Sequence, residues 1–425
     1  MISTTSSLKA TTEQQFKHLP PPSSHIGSCC LAEWNTARAR IGHTVFGLSW
    51  HGEFLAGCTS AGEILVWLVP FAREEDDIDE LLDDEKWSQS GQERSTFTSK
   101  TNSRKPAIKF QASPNNGMLY SIKFLHVQKS LLLGVSGDDG ILLYSWDDVQ
   151  ALTIDPSKTP EPKHHFKPPS LHPKMEINDF DIDDDLNIFG ASEVGCKWNI
   201  ESGKLSCSYA SSKNGYLHTI KVLPSSTFQG GHSIMLMGGE DGTLGVWDKK
   251  CDRLIEHVNI KARMNEDTSL SHSCLPSTMD QDAFNSWKQH DHLWISHMEA
   301  SESCNWWNLC GGAEDNMGRN FGGHLTCWHA PTRSLAAGCT TRETPSYIAR
   351  QPSSSVMATI ANESVVSYWS AAQLEREKRS WTTSPCSYAL AIRESDSVTA
   401  VGGVGSRVDI LNERGSKLYS VSTLL

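Results

Sequence analysis

The sequence predicts an all-β chain folded as a seven-bladed β-propeller, with long loop insertions and a disordered N-terminal tail. Three observations carry the prediction: the spacing of a set of tryptophans, a strand grammar that recurs around each of them, and Asp-Gly turns at matching points of that grammar.

Of the 14 tryptophans in 425 residues, six close short β-like runs: Trp67, Trp146, Trp198, Trp247, Trp328 and Trp369. Their separations are 79, 52, 49, 81 and 41 residues. A period of about 40–50 with a strand-ending Trp signals propeller blades, and the two doubled gaps read as one repeat plus an insertion. A seventh unit, Arg407–Leu411, puts Ile410 where the next Trp falls.

The units follow in order. Unit one reads HTVFGLSW, FLAGCTS, AGEILVW; unit two MLYSIKF, SLLLGVSGD, DGILLYSW; unit four YLHTIKVL, SIMLMGGE, DGTLGVW. Asp139-Gly140 and Asp241-Gly242 are tight-turn dipeptides, because Gly accepts the positive φ that a hairpin reversal requires. Units three, five, six and seven repeat the pattern around Trp198, Trp328, Trp369 and Ile410. A fourth, outer run follows each, such as residues 107–112, 204–210 and 417–422. The expected organisation is a tail over 1–27, rich in Ser, Thr and Pro, and one propeller over 28–425. Its insertions fall at about 70–105, 148–170 and 262–290. The ring is expected to close by packing of blade faces, helped by Ser28–Ile41, with the run from Lys417 to Ser422 as the outer strand of blade seven.

Composition excludes several classes. No apolar run reaches the ~18 residues of a membrane-spanning helix, and the N-terminus lacks the apolar stretch of a secretory signal. The formal net charge is −12, so the chain is no basic nucleic-acid module. None of the 12 cysteines shows the C-x-x-C spacing of a zinc grip, and they read as reduced, packed thiols. No G-x-S-x-G, H-E-x-x-H or phosphate-loop motif is present. Neither a catalytic constellation nor a metal or cofactor site is expected.

The Trp-ending strand after an Asp-Gly turn resembles the WD-repeat family, most closely at Gly238–Gly242 and Val246-Trp247-Asp248. The repeats are degenerate: Met237 stands where that family places a hydroxyl, and Gly231-His232 and Gly323-His324 are out of place. From about Leu31 to Leu425 the order of blades further resembles the degenerate WD-repeat subunits of the THO transcription–export complex. The likeness rests on FLAGCTSAGEI, KPAIKFQA, LMGGEDGTLGVWD, LTCWHAPTRS and AVGGVGSRVDILNERGSKLYSVS. It implies a nuclear, non-enzymatic scaffold whose partners are the coiled-coil THO subunits, with RNA contact indirect or weak.

Two segments stand out as candidate partner-binding elements. Arg73–Lys86 carries nine acids and two bases, and Ile78, Leu81 and Leu82 share one face of a short helix; a solvated loop is the plainer reading. Ser28–Ile41 offers Trp34 either to the propeller face or to a partner. The acids Asp179, Asp181, Asp183, Asp184 and Asp185 lack the Gly and final Glu of a calcium loop and are read as a solvent-facing turn. A substrate receptor of a cullin-type ubiquitin ligase is the alternative function, although Trp247-Asp248 is followed by Lys249-Lys250 where such receptors carry Trp-Asp-x-Arg.

Overall fold

Short β-branched and aromatic runs separated by Gly-, Asp- and Asn-bearing turns satisfy their backbone groups by lateral pairing. Here every four successive runs do so as one antiparallel sheet. The computed structural model describes residues 43–71, 104–167, 176–209, 216–223, 233–266, 292–300, 306–314, 320–341, 343–351, 355–371 and 373–424. Among the described residues, 28 strands, β1 to β28 in chain order, form seven four-stranded sheets, each built from consecutive strands. This is an all-β seven-bladed propeller.

The innermost strands are β1 (Val45–His51), β5 (Leu119–Val127), β9 (Asp179–Ile182), β13 (Leu217–Val222), β17 (His292–Ala300), β21 (Pro345–Arg350) and β25 (Ser387–Ile392). Each packs on the next, and β25 packs on β1, so they line a closed central channel. Seven apolar clusters hold the ring, one at each junction between neighbouring blades. The outer strands include β4 (Ile108–Gln111), β8 (His164–Phe166), β12 (Leu205–Tyr209), β16 (Arg253–Asn259), β24 (Arg376–Trp381) and β28 (Lys417–Ser422).

The six tryptophans each pack into the junction with the preceding blade, from Trp67 facing blade seven to Trp369 facing blade five. All are buried except Trp247, which is half-buried against the blade-three face. Trp146 ends no strand. It begins a short helix, α1 (Trp146–Gln150), whose indole still fills the junction of blades one and two. In blade seven the spacing is off by one. The tryptophans of blades three to six sit at an irregularity in pairing with the outer strand, and Leu411 has that irregularity in blade seven. Leu411 faces blade six, while Ile410 points into the junction with blade one. Gly57 shows what these indoles demand of their neighbours, since a Cβ there would lie 3.0 Å from the Trp67 ring.

The predicted turns at Gly140 and Gly242 have φ of +98° and +65°. The segment 148–170 is no pure insertion: it carries α1 and β8, the outer strand of blade two, because Ile141 and Leu142 need pairing partners on their free edge. The segment 70–105 leaves blade one between its third and outer strands, and Arg104 bridges in parallel to Val421 of β28.

The ring closes by hydrogen bonds as well as packing. The Trp67 indole N–H donates to the Ser422 carbonyl at 2.7 Å, and the Trp50 indole to the Ala391 carbonyl at 3.2 Å. Thr44 bridges to Val404. Arg393 donates to the Val69 carbonyl at 2.7 Å and to both oxygens of Asp396, and its guanidinium lies between the rings of Trp50 and Phe71. The residues 1–27 and Ser28–Ile41 lie outside the described residues.

Candidate binding surfaces of the channel and rim

Six of the seven inner strands break register, at Phe46, Tyr120, His218, Ser296, Ser346 and Tyr388. A bulge inserts one residue and re-aims a side chain. Repeated around the ring, it turns these six residues toward one cavity of about 330 Å³ at the mouth of the channel, with Asn178 and Trp294 completing the wall.

The next position on each strand forms a polar layer: Ser121, Asp179, Thr219, His297 and Tyr347, with Gly47 and Ala389 on the remaining blades. Asp179 is its anchor. Its carboxylate accepts from Ser121 Oγ at 3.1 Å, Thr219 Oγ1 at 3.2 Å and the Ile220 N–H at 3.2 Å, and pairs with Lys123 Nζ at 2.8 Å. Burial pushes this carboxyl up, but Lys123 and the hydrogen bonds outweigh burial and hold it below the usual carboxylate range. His297 stacks on Tyr347 with ring centroids 3.7 Å apart, and burial drives its pKa down to about 3, so the ring is neutral.

At the opposite end, a vestibule of about 1310 Å³ is lined by charges of both signs, among them Lys123, Asp181, Lys221, Glu299 and Arg350. Lys221 pairs with Glu299 at 3.7 Å, and that carboxylate holds the ammonium above its ordinary range. The five aspartates read as a solvent-facing turn are thus partly misread. Asp179 and Asp181 sit on β9, where strand alternation turns them to the channel, and Asp183 is buried, accepting from the Asp185 and Asn187 N–H groups and pairing with Lys249. Among the described residues no cluster of His, Cys, Asp and Glu has the arrangement of a metal site.

The rim exposes large apolar residues on outer strands: Leu205 on β12, Ile255 on β16 and Trp381 on β24, the last 61% exposed. The candidate partner-binding residues Trp34, Ile78, Leu81 and Leu82 lie outside the described residues. Sequence reasoning missed the bulged channel residues, because a bulge is an irregularity of strand pairing that no residue type marks. The misplaced Gly323-His324 pair also has a structural place. His324 is buried on the third strand of blade five, where the Trp294 carbonyl accepts from its Nε2 at 3.1 Å.

Blades five and six keep part of a blade-internal tryptophan network: Trp328 donates to Thr326 Oγ1 and Trp369 to Thr359 Oγ1, both at 2.9 Å. In blade four, Met237 is buried, and Asp241 accepts instead from the Thr243 N–H and hydroxyl.

No protein-family model matches the chain. THO complex subunit 6 of Arabidopsis thaliana is 30% identical over 167 residues, which is 35% of this chain and 44% of that protein. The chain therefore spans under half the length of that relative, and the likeness is a distant, partial homology.

Proposed function

We propose that the chain is a non-enzymatic scaffold subunit of a THO-type transcription–export assembly, acting in the nucleus to support messenger ribonucleoprotein assembly, processing and export through protein–protein contacts. The observation that carries the reading is the 30% identity to THO complex subunit 6, on a chain whose seven blades form a closed ring. Propellers of this kind are rigid platforms whose rims and mouths bind partners, although fold alone names no ligand. The channel charges support a role without chemistry, since Asp179, Lys123, Lys221 and Glu299 are spent on one another. Leu205, Ile255 and Trp381 offer the rim apolar anchors for helical partners. A stable contact needs ~800 Å² per partner.

The test is affinity purification of the tagged chain from nuclear extract with identification of co-purifying proteins. The reading expects coiled-coil THO subunits, and Trp381→Ala, deletion of Arg73–Lys86 or Trp34→Ala to weaken their recovery. Recovery of cullin-ligase adaptors instead would favour the substrate-receptor alternative. Tight binding of bare RNA at physiological salt without THO subunits would sink the scaffold reading.

A further inference from the structure

The cavity at the channel mouth carries an aromatic wall that the scaffold reading does not use. Phe46, Tyr120 and Tyr388 come from blades one, two and seven, which adjoin one another around the closed ring. All three are bulge residues. The Phe46 ring lies 6.1 Å from Tyr120 and 5.7 Å from Tyr388, tilted by 52° and 53°. Three rings splayed this way form a concave surface rather than a stack, and Trp294 lines the same cavity.

Both phenols are neutral at physiological pH. Burial pushes Tyr388 up to about 12, and burial with the hydrogen bond from the Tyr120 hydroxyl to Asp138 holds Tyr120 far above the ordinary phenol range. Neutral ring faces attract cations through their quadrupoles. The surroundings favour the same sign. Asp138 and the half-buried Glu176 flank Tyr120, and Glu193 and Glu240 hold Tyr216 through its hydroxyl and N–H.

The floor of the cavity decides which cation fits. Asp179 is its lining carboxylate, and that carboxylate is already occupied by two hydroxyls, two backbone N–H groups and Lys123, which itself lines the opposite vestibule. A primary ammonium entering the cavity gives up water for which the lining carboxylate, already engaged, does not compensate. A quaternary ammonium has no N–H groups to leave unpaired. We propose that the aromatic mouth binds a trimethylated lysine side chain, presented by a basic peptide segment whose remaining charges meet the acidic rim.

The test measures fluorescence anisotropy of three labelled Lys/Arg-rich peptides against the full chain. The peptides differ at one position, which is trimethyllysine, lysine or the uncharged tert-butyl isostere of trimethyllysine. The proposal expects the trimethyllysine peptide to bind about tenfold or more tighter than both others, and tetramethylammonium to compete. Phe46→Leu and Tyr388→Leu should each remove that preference, whereas Tyr388→Phe, which keeps the ring, should retain it. Equal binding of the three peptides, no binding of any, or a preference untouched by Phe46→Leu and Tyr388→Leu overturns the proposal. If those leucine variants fail to fold, the isostere comparison and the tetramethylammonium competition on the unaltered chain still decide it.

Discussion

Blades one and seven are the one neighbouring pair whose strands do not follow one another along the chain, so Trp67 is the place to test how the ring closes. Its indole is fully buried in the cluster shared by the two blades, and its N–H donates to the Ser422 carbonyl at 2.7 Å. Trp67→Ala removes the ring and leaves a cavity, about 3–5 kcal/mol for a buried aromatic. It also orphans a carbonyl, adding about 1–3 kcal/mol. Overlap between the two costs leaves a total of about 4–6 kcal/mol. For a cooperative unit of roughly 300 residues, 1 kcal/mol moves Tm by about 1.5–2 °C, so the expected loss is about 6–12 °C. Trp67→Phe keeps most of the ring but not the donor, and should cost about 2 kcal/mol.

The readout is thermal unfolding together with hydrogen exchange of β28. Trp369→Ala is the control, because it removes a buried indole at the junction of blades five and six, where the chain still tethers the blades. Both alanine variants should lose Tm. Only the loss of Trp67 should speed exchange across Lys417–Ser422, since that junction has nothing but packing and hydrogen bonds to hold it. A Trp67→Ala protein that melts within about 2 °C of the parent, or a control that opens β28 equally, refutes the closure argument.

Three further outcomes are expected. Lys123→Met should destabilise by about 3–5 kcal/mol, because it strands the buried Asp179 carboxylate, and adding Asp179→Asn should recover part of the loss in a denaturation double-mutant cycle. His324, which burial lowers from 6.5 to about 4, binds its proton more readily in the unfolded chain. Its contribution is therefore full above about pH 6.5 and lost as pH falls toward 4, and His324→Gln should flatten the pH dependence of the urea midpoint in that window. Thr359→Val should leave the Trp369 indole N–H unpaired, costing about 1–2 kcal/mol and shifting that indole resonance while the other described indoles stay in place.

What was legible in the sequence is what repeats every blade. Trp67, Trp198, Trp328 and Trp369 recur because each junction needs one large flat side chain, and the Asp-Gly turns recur because a hairpin needs positive φ at Gly140 and Gly242. Periodicity therefore delivers the blade count, and it fails where the physics is not periodic. A step of 41 residues from Trp369 lands on Ile410, yet Leu411, one residue further on, holds the matching pairing irregularity and packs on blade six. The run DGILLYSW reads as a strand ending at Trp146, yet Trp146 opens a helix while keeping its place in the junction. The aspartates of β9 looked like solvent-facing acids because their counterions, Lys123 and Lys249, come from neighbouring blades 56 and 66 residues away from their partners. The channel mouth is the extreme case. Phe46, Tyr120 and Tyr388 read as interior strand residues, and only the bulge repeated on adjoining blades turns them into one surface. A propeller thus writes its scaffold into the repeat and the shape of its channel mouth into the departures from the repeat, so the residues that give the mouth its surface are those a periodic reading passes over.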